Sequence, residues 1–265
     1  RRSMATGLHP HNHGYLTNET IAPVPEHELI FPHLREAGYD CYFYGKWHAG
    51  LGTAHDYACE GFSYPGFNNP CLTAEYRAYI KERGLKSASF DIEHVFYEGK
   101  HPDARPGPGY RLLHQNMWQH VTGLLETGAE THESFFLANL ACEQLRDLAQ
   151  RRNGQPFFLR VDFYGPHMPL LPSPDYFHLC DPTRIPEYPS FRDDLSGKPT
   201  VYQTETNKPL CTSERKLIVP SPLPWTTWQR VLAYAYGQCT TVDAAGGRLL
   251  DALEELGSTE DTLVI

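Results

Sequence analysis

GYDCYFYGKWHAG, residues 38–50, decides how the rest of the chain is arranged. Tyr39–Tyr44 is aromatic-rich, the composition of a buried strand. Gly45 then lets the backbone turn or approach another chain segment closely. Lys46 and His48 follow, with Trp47 between them. In an extended segment, residues two apart project to one side. The spacing therefore predicts an ammonium and an imidazole pointing together from a strand end, where ligands sit in α/β proteins. Such a pair can hold an anion and move a proton. By themselves the two residues are better read as a solvated lysine and a hydrogen-bonded turn histidine.

Working outward, PEHELIFPHLREAG from Pro25 has apolar residues near helical spacing, with Pro32 as a kink and Gly38 as a stop. Helix followed by strand is an α/β unit. On the N-terminal side, Arg1–Thr6 is compatible with a helix closed by Gly7, and Leu8–Pro23 reads as a polar loop. Downstream, TAEYRAYIKER (73–83) predicts a short helix. Thr131 caps a second helix whose apolar face carries Phe135, Phe136, Leu140, Leu145 and Leu148, and whose last turn carries Arg151 and Arg152. PFFLRVDF (156–163) is a second buried strand, and its end delivers Gly165-Pro166-His167-Met168-Pro169. Flanking prolines predict an extended His167. Trp225–Leu256 has the longest helical pattern, with Gly246-Gly247 as a weak point and Gly257 as its cap. Thr262–Ile265 predicts another strand. Residues 50–130 and 172–224 read as long loop excursions. Trp47 and the loop Gly50–Pro70 are expected to wall a pocket at the Lys46 end.

Four stretches carry a family resemblance, in order along the chain. They are RRSMATGLHPHNHG (1–14), GYDCYFYGKWHAG (38–50), PFFLRVDFYGPHMPLLP (156–172) and VDAAGGRLLDALEELGSTEDTLVI (242–265). The second resembles the Gly-Lys-Trp-His signature of the sulfatases. The first resembles the back half of their Cys-x-Pro-Ser-Arg signature, with Arg1 five before Thr6. The third resembles their strand leading into Pro-His-x-Pro, and the fourth the helix and strand before their Ser-Asp-His-Gly segment. The resemblance implies an α/β, layered, alkaline-phosphatase-like sandwich with a mixed, largely parallel sheet. Residues 1–265 would then be the central part of one catalytic domain, an internal piece of a longer chain.

The same resemblance implies a sulfuric ester hydrolase. Arg1 would brace a formylglycine nucleophile made from a Cys or Ser upstream of Arg1. Lys46 would contact the sulfate and the aldehyde-derived hydroxyl. His48 would act as the base that helps to expel sulfate, and His167 would contact the sulfate or protonate the leaving oxygen. Calcium is the implied metal, with acidic ligands outside this chain. The implied partners are a small sulfated substrate or sulfated saccharide and a formylglycine-generating maturation enzyme, in a secreted, periplasmic or lysosomal-type compartment. The 265-residue piece alone is expected to be inactive. Two other readings share these motifs: a phosphonate or phosphodiester hydrolase of the same superfamily, and an inactive relative that binds a sulfated ligand.

Composition bounds these readings. The chain has 265 residues, 40% hydrophobic and 21% charged, enough for a sizeable core. A formal net charge of -9 argues against nucleic acid, whose binders carry a basic stripe. No apolar run reaches membrane-spanning length. The cysteines at 41, 59, 71, 142, 180, 211 and 239 are scattered without Cys-x-x-Cys spacing, against a zinc site or a dense disulfide framework. Cys41 is expected to be structural. His9, His11 and His13 crowd one loop and suit rim roles better than a metal site. Asn18-Glu19-Thr20 is a glycosylation sequon.

Overall fold

A computed structural model describes residues 1–17, 29–65, 69–95, 97–98, 106–111, 121–151, 154–194, 196–200, 216–217 and 224–265. In chain order its elements are helices α1 (Arg2–Thr6), α2 (Pro10–His13) and α3 (Ile30–Glu36), strands β1 (Asp40–Lys46) and β2 (Glu60–Tyr64), and helix α4 (Ala74–Glu82). Strands β3 (Phe90–Val95), β4 (Tyr97–Glu98), β5 (Gly107–Tyr110) and β6 (Val121–Leu125) come next. Helix α5 (Glu133–Arg151), strand β7 (Phe157–Asp162), helix α6 (Pro174–Phe177), strand β8 (Lys216–Leu217) and helix α7 (Trp225–Glu255) complete the described set. The chain divides into two compact units. The first is residues 1–79, 133–164 and 243–265; the second is residues 80–132 and 165–242.

The first unit is built on a parallel sheet of order β2-β1-β7. β1 lies in the middle and is buried from Cys41 to Lys46, which explains its unbroken apolar run. Alternation along β1 divides its side chains between two layers. Cys41 and Phe43 enter a core with Ala5, Leu29, Phe31, Trp47 and Phe158. On β7, Phe157 and Leu159 instead meet Cys142 and Leu145 of α5 and Ala252 and Leu253 of α7. Tyr44 extends toward α5, where its hydroxyl donates to Gln144 Oε1 at 3.1 Å. Each fully buried large apolar side chain contributes about 1.5–3 kcal/mol, so these two layers hold the strand that ends at Lys46.

Gly45 is required where it stands. Its φ is +119° and it pairs with Asp162 of β7; a Cβ there would lie 2.1 Å from the Asp162 carbonyl oxygen. No other residue type tolerates both conditions.

The second unit carries an antiparallel sheet of order β5-β3-β6 and the pair β4-β8. Leu170, Phe177, Ile185, Val231 and Tyr234 form its core. Glu93 of β3 accepts from Arg230 Nε at 2.8 and 2.9 Å and from the Tyr234 hydroxyl. Arg230 also lies over the Phe177 ring, 4.9 Å from its centroid.

Several sequence expectations shift. The strand read as Tyr39–Tyr44 runs on through Gly45 and Lys46, because β7 supplies partners as far as Asp162. The helix expected at 73–83 is α4, but within 50–130, otherwise expected as a loop excursion, the chain also forms β2 of the central sheet and strands β3 to β6. Short strands interrupted by Gly and Pro, as in β5, gave no periodic signal. Within 172–224 the described elements are short: α6, a 3-10 turn at Pro182–Arg184 and β8. The expected loop 8–23 contains α2, with Pro10 at its first position where the missing N–H costs nothing. Pro32 is tolerated in α3 for the same reason, since the helix begins at Ile30. Residues 18–28, with the sequon and the Pro25 start, lie outside the described residues, as does Cys211. Thr131 is not the first residue of α5. It ends a 3-10 turn and its hydroxyl donates to the Gly128 carbonyl at 2.9 Å, and α5 starts at Glu133. Residues 262–265 form no strand; they make no ladder with a neighbour, and a strand needs one. α7 runs straight through Gly246-Gly247 and ends as expected at Gly257, φ +64°.

Candidate active site

Lys46 is the last residue of β1 and is 3% exposed. Its register partner on β2 is Tyr64, also buried. Its Nζ lies 5.2 Å from the centroid of the Tyr164 ring, just beyond the end of β7. An ammonium over an aromatic face is attracted to it. Burial, and then the nearby Arg1 charge, push the Lys46 pKa down to about 8.

Arg1 meets the same strand ends from the N-cap of α1. Its guanidinium donates to the carbonyl oxygen of Lys46 and, at 3.4 Å, to that of Phe163. Its Nε lies 3.6 Å from the Asp162 carboxylate. Burial lowers the Arg1 pKa, and Asp162 opposes that shift. Asp162 in turn takes a two-pronged contact from Arg160, at 2.9 and 3.0 Å. Arg2, buried in α1, donates to the Ala49 carbonyl at 2.8 Å. Arg1, at the N-cap of α1, and Arg2, within it, therefore pin both ends of the turn Lys46–Ala49, which contains His48.

His48 is half-buried and takes φ +41°, in the left-handed region. The pleat ends at Lys46, so the turn and not strand alternation sets the direction of His48. Trp47 does not wall a pocket. It is 1% exposed, stacked on Tyr57 at 5.2 Å and packed against Phe31 and Phe43. The rings of Phe31, Phe43 and Tyr57 hold it inside the core.

His167 lies in the second unit, in a bend after β7. Its Nδ1 is 2.7 Å from the Met168 carbonyl oxygen. That bond folds the exposed ring back on its own segment and requires the proton on Nδ1, which leaves Nε2 as the basic nitrogen of the neutral ring. The Gly165-Pro166 and Met168-Pro169 peptides are both cis. The structure thus brings Arg1 and Lys46 together and places His48 two residues on, while His167 is described within its own unit.

The other histidine expectations also have places. His9 and His11 stack at 5.7 Å on the surface, whereas His13 is buried and pairs with Ser3 at 2.9 Å. Cys41 is fully buried with its Sγ toward the Phe31 carbonyl, and burial pushes its thiol pKa up. Arg160, Asp162 and Tyr164 were missed from sequence. The signal was present: two opposite charges two apart in a strand share a face.

With this geometry in hand, comparison with known proteins is decisive. The sulfatase family model matches residues 1–265. The chain belongs to the sulfatase family. It is 25% identical over 281 aligned residues to an arylsulfatase of Clostridium perfringens, covering all of this chain and 51% of that protein. It is 26% identical to an uncharacterized sulfatase of Schizosaccharomyces pombe, covering all of this chain and 43% of the relative. The chain thus spans about half the length of these curated relatives or less. Among solved structures, a phosphonate monoester hydrolase of Agrobacterium radiobacter superposes with a TM-score of 0.62 at 19% identity, over 99% of this chain and 51% of that one. A structure in complex with its substrate D-glucosamine-2-N,6-O-disulfate superposes at 0.50 and 16% identity, over 97% and 52%. These likenesses show the fold: an α/β, alkaline-phosphatase-like sandwich, whose largely parallel sheet is here β2-β1-β7.

Proposed function

We propose that the protein containing this chain hydrolyses a sulfate monoester of a small molecule or saccharide, and that Arg1, Lys46, His48 and His167 serve that reaction. The observation that carries the reading is the buried Lys46 ammonium at the end of β1, in the family's Gly-Lys-Trp-His position and beside a second cation, Arg1. Two cations at one strand end suit the anionic oxygens of a sulfate ester, and a site shielded from water strengthens their attraction. Lys46 would hold the sulfate as a point charge. Arg1 would brace the turn and add positive charge. His48 would take up a proton when sulfate is released. In its doubly protonated form His167 would deliver the Nε2 proton to the leaving oxygen and return to the neutral ring, its Nδ1 proton being committed to Met168.

Family resemblance adds a formylglycine nucleophile, which supplies the attacking oxygen, and a calcium ion, which would bind the sulfate oxygens. Among the described residues no group of three or more His, Cys, Asp or Glu side chains fits a metal. The thiols of Cys41, Cys59, Cys71 and Cys142 are all pushed up by burial, which is unsuited to a nucleophile. No step is therefore assigned to either group from these residues. The intact protein, assayed with calcium on matched aryl sulfate and aryl phosphonate esters, tests the proposal. Turnover should favour the sulfate and fall at least about a hundredfold in Lys46→Ala. A preference for the phosphonate would move the protein to the other hydrolase class, and no turnover of either with retained sulfate binding would make it a binding relative.

A further inference from the structure

We propose that Asp162 is a positioning residue of this site, clamping the Arg1 guanidinium across the ends of β1 and β7 and so fixing the peptide that carries Lys46 into the His48 turn. The proposal rests on the catalytic reading of Arg1 and Lys46 given above. Asp162 is the last residue of β7 and the register partner of Gly45. Because Gly45 has no side chain, the two strands approach closely enough there for Asp162 to sit beside the Lys46 peptide. Arg160 holds both carboxylate oxygens from the same face of β7, and its guanidinium rests over the Phe43 ring, 5.7 Å from the centroid. The carboxylate is thereby fixed before Arg1 meets it. Arg1 then has three anchors on two strands: the Asp162 carboxylate on one, the Phe163 carbonyl after it, and the Lys46 carbonyl on the other.

Charge makes the same point. Asp162 carries two of the site's cations, Arg1 and Arg160, and Arg1 also feels the Lys46 charge. Without Asp162, Arg1 would be repelled by its two neighbours and left half-buried without an anion. Unpaired charges of that kind move to water or lose their geometry. Asp162 does not need to touch substrate for this role. It acts through Arg1, and a displacement of about 1 Å at a site that holds charge is enough to slow chemistry strongly.

The test uses the intact protein and two variants, Asp162→Asn and Arg160→Lys. The first keeps the shape and removes the charge; the second keeps the charge and removes the two-pronged hold. For sulfate-ester turnover the expected result is a kcat lower by about tenfold to a hundredfold in Asp162→Asn, with KM changed less than about threefold. Arg160→Lys should lose less, and the double variant should lose no more than Asp162→Asn alone, since both act through one clamp. A kcat within about twofold of the parent in folded Asp162→Asn, or fully additive losses, overturns the proposal.

A second readout does not depend on activity. Phenylglyoxal modification of Arg1, followed by peptide mass spectrometry, should run at least about fivefold faster in each variant than in the parent, because a guanidinium that has lost its anchors is exposed. Equal rates in parent and variants overturn the proposal. If the parent turns over no sulfate ester, the catalytic reading fails, and the modification rates alone decide whether Asp162 holds Arg1. Should Asp162→Asn fail to fold, Arg160→Lys carries the same comparison.

Discussion

At the residue scale, the central feature is a lysine that is costly to bury. The Lys46 pKa lies near 8, below its ordinary 10.5, because burial and Arg1 both disfavour the charge. The sign of the linkage follows. Between pH 10.5 and 8 the unfolded chain takes up a proton that the folded chain does not, so this residue lowers stability as pH falls through that window. Below 8 the cost is constant, about 3 kcal/mol by the size of the shift. Lys46→Met should therefore raise stability at pH 7 by about 1–3 kcal/mol while removing turnover, a trade typical of functional sites. Urea unfolding of parent and variant at pH 7, 8 and 10 checks this; the gain should shrink toward pH 10. A variant less stable than the parent at pH 7 would show that the ammonium is stabilising. Turnover should also lose rate above about pH 8, as Lys46 discharges, and Lys46→Arg should remove that limb.

At the element scale, the end of β1 depends on strand packing more than on any one charge. Gly45→Ala would set a methyl group 2.1 Å from the Asp162 carbonyl at φ +119°. Forcing β1 and β7 apart should destabilise the protein by more than about 3 kcal/mol, seen as a loss of cooperative unfolding by circular dichroism. A mild effect would mean the strand ends are already loose. In the second unit, His132 follows a 3-10 turn, is 3% exposed and meets Gln238 at 3.4 Å. Burial pushes its pKa down to about 4. The unfolded chain therefore binds a proton that the folded one refuses between pH 6.5 and 4, and stability falls as pH drops through that window. His132→Gln should flatten the dependence of unfolding free energy on pH between these limits. An unchanged slope would assign the acid sensitivity elsewhere.

At the scale of the whole molecule, Lys46 and His167 are both proposed to serve the same sulfate ester. Their substitutions then cannot act independently. In the intact protein, Lys46→Ala and His167→Ala should together cost less than the sum of their single effects, with a coupling of about 1 kcal/mol or more in kcat/KM. Additivity within about 0.5 kcal/mol would give His167 a separate role. No described helix is long and apolar enough to cross a membrane.

Some of this was legible in the residues alone. The aromatic run before Gly45, the strand at 157–162 and the helix from Trp225 followed from periodicity and from Gly and Pro punctuation, because those signals are local. Lys46 and Arg1 were legible as candidate site residues through motif spacing. Tertiary structure decided what depends on contacts between distant segments. It turned Trp47 into the core, because Phe31 and Tyr57 offer it rings that no local pattern announces. It gave 50–130 strands, because short Gly- and Pro-interrupted segments become strands only when a neighbour supplies the ladder. It also joined Arg1, Lys46 and Asp162, whose meeting depends on β1 and β7 lying side by side in parallel. Composition and spacing can say which side chains carry charge; only the packing of the sheet says which charges share a strand end.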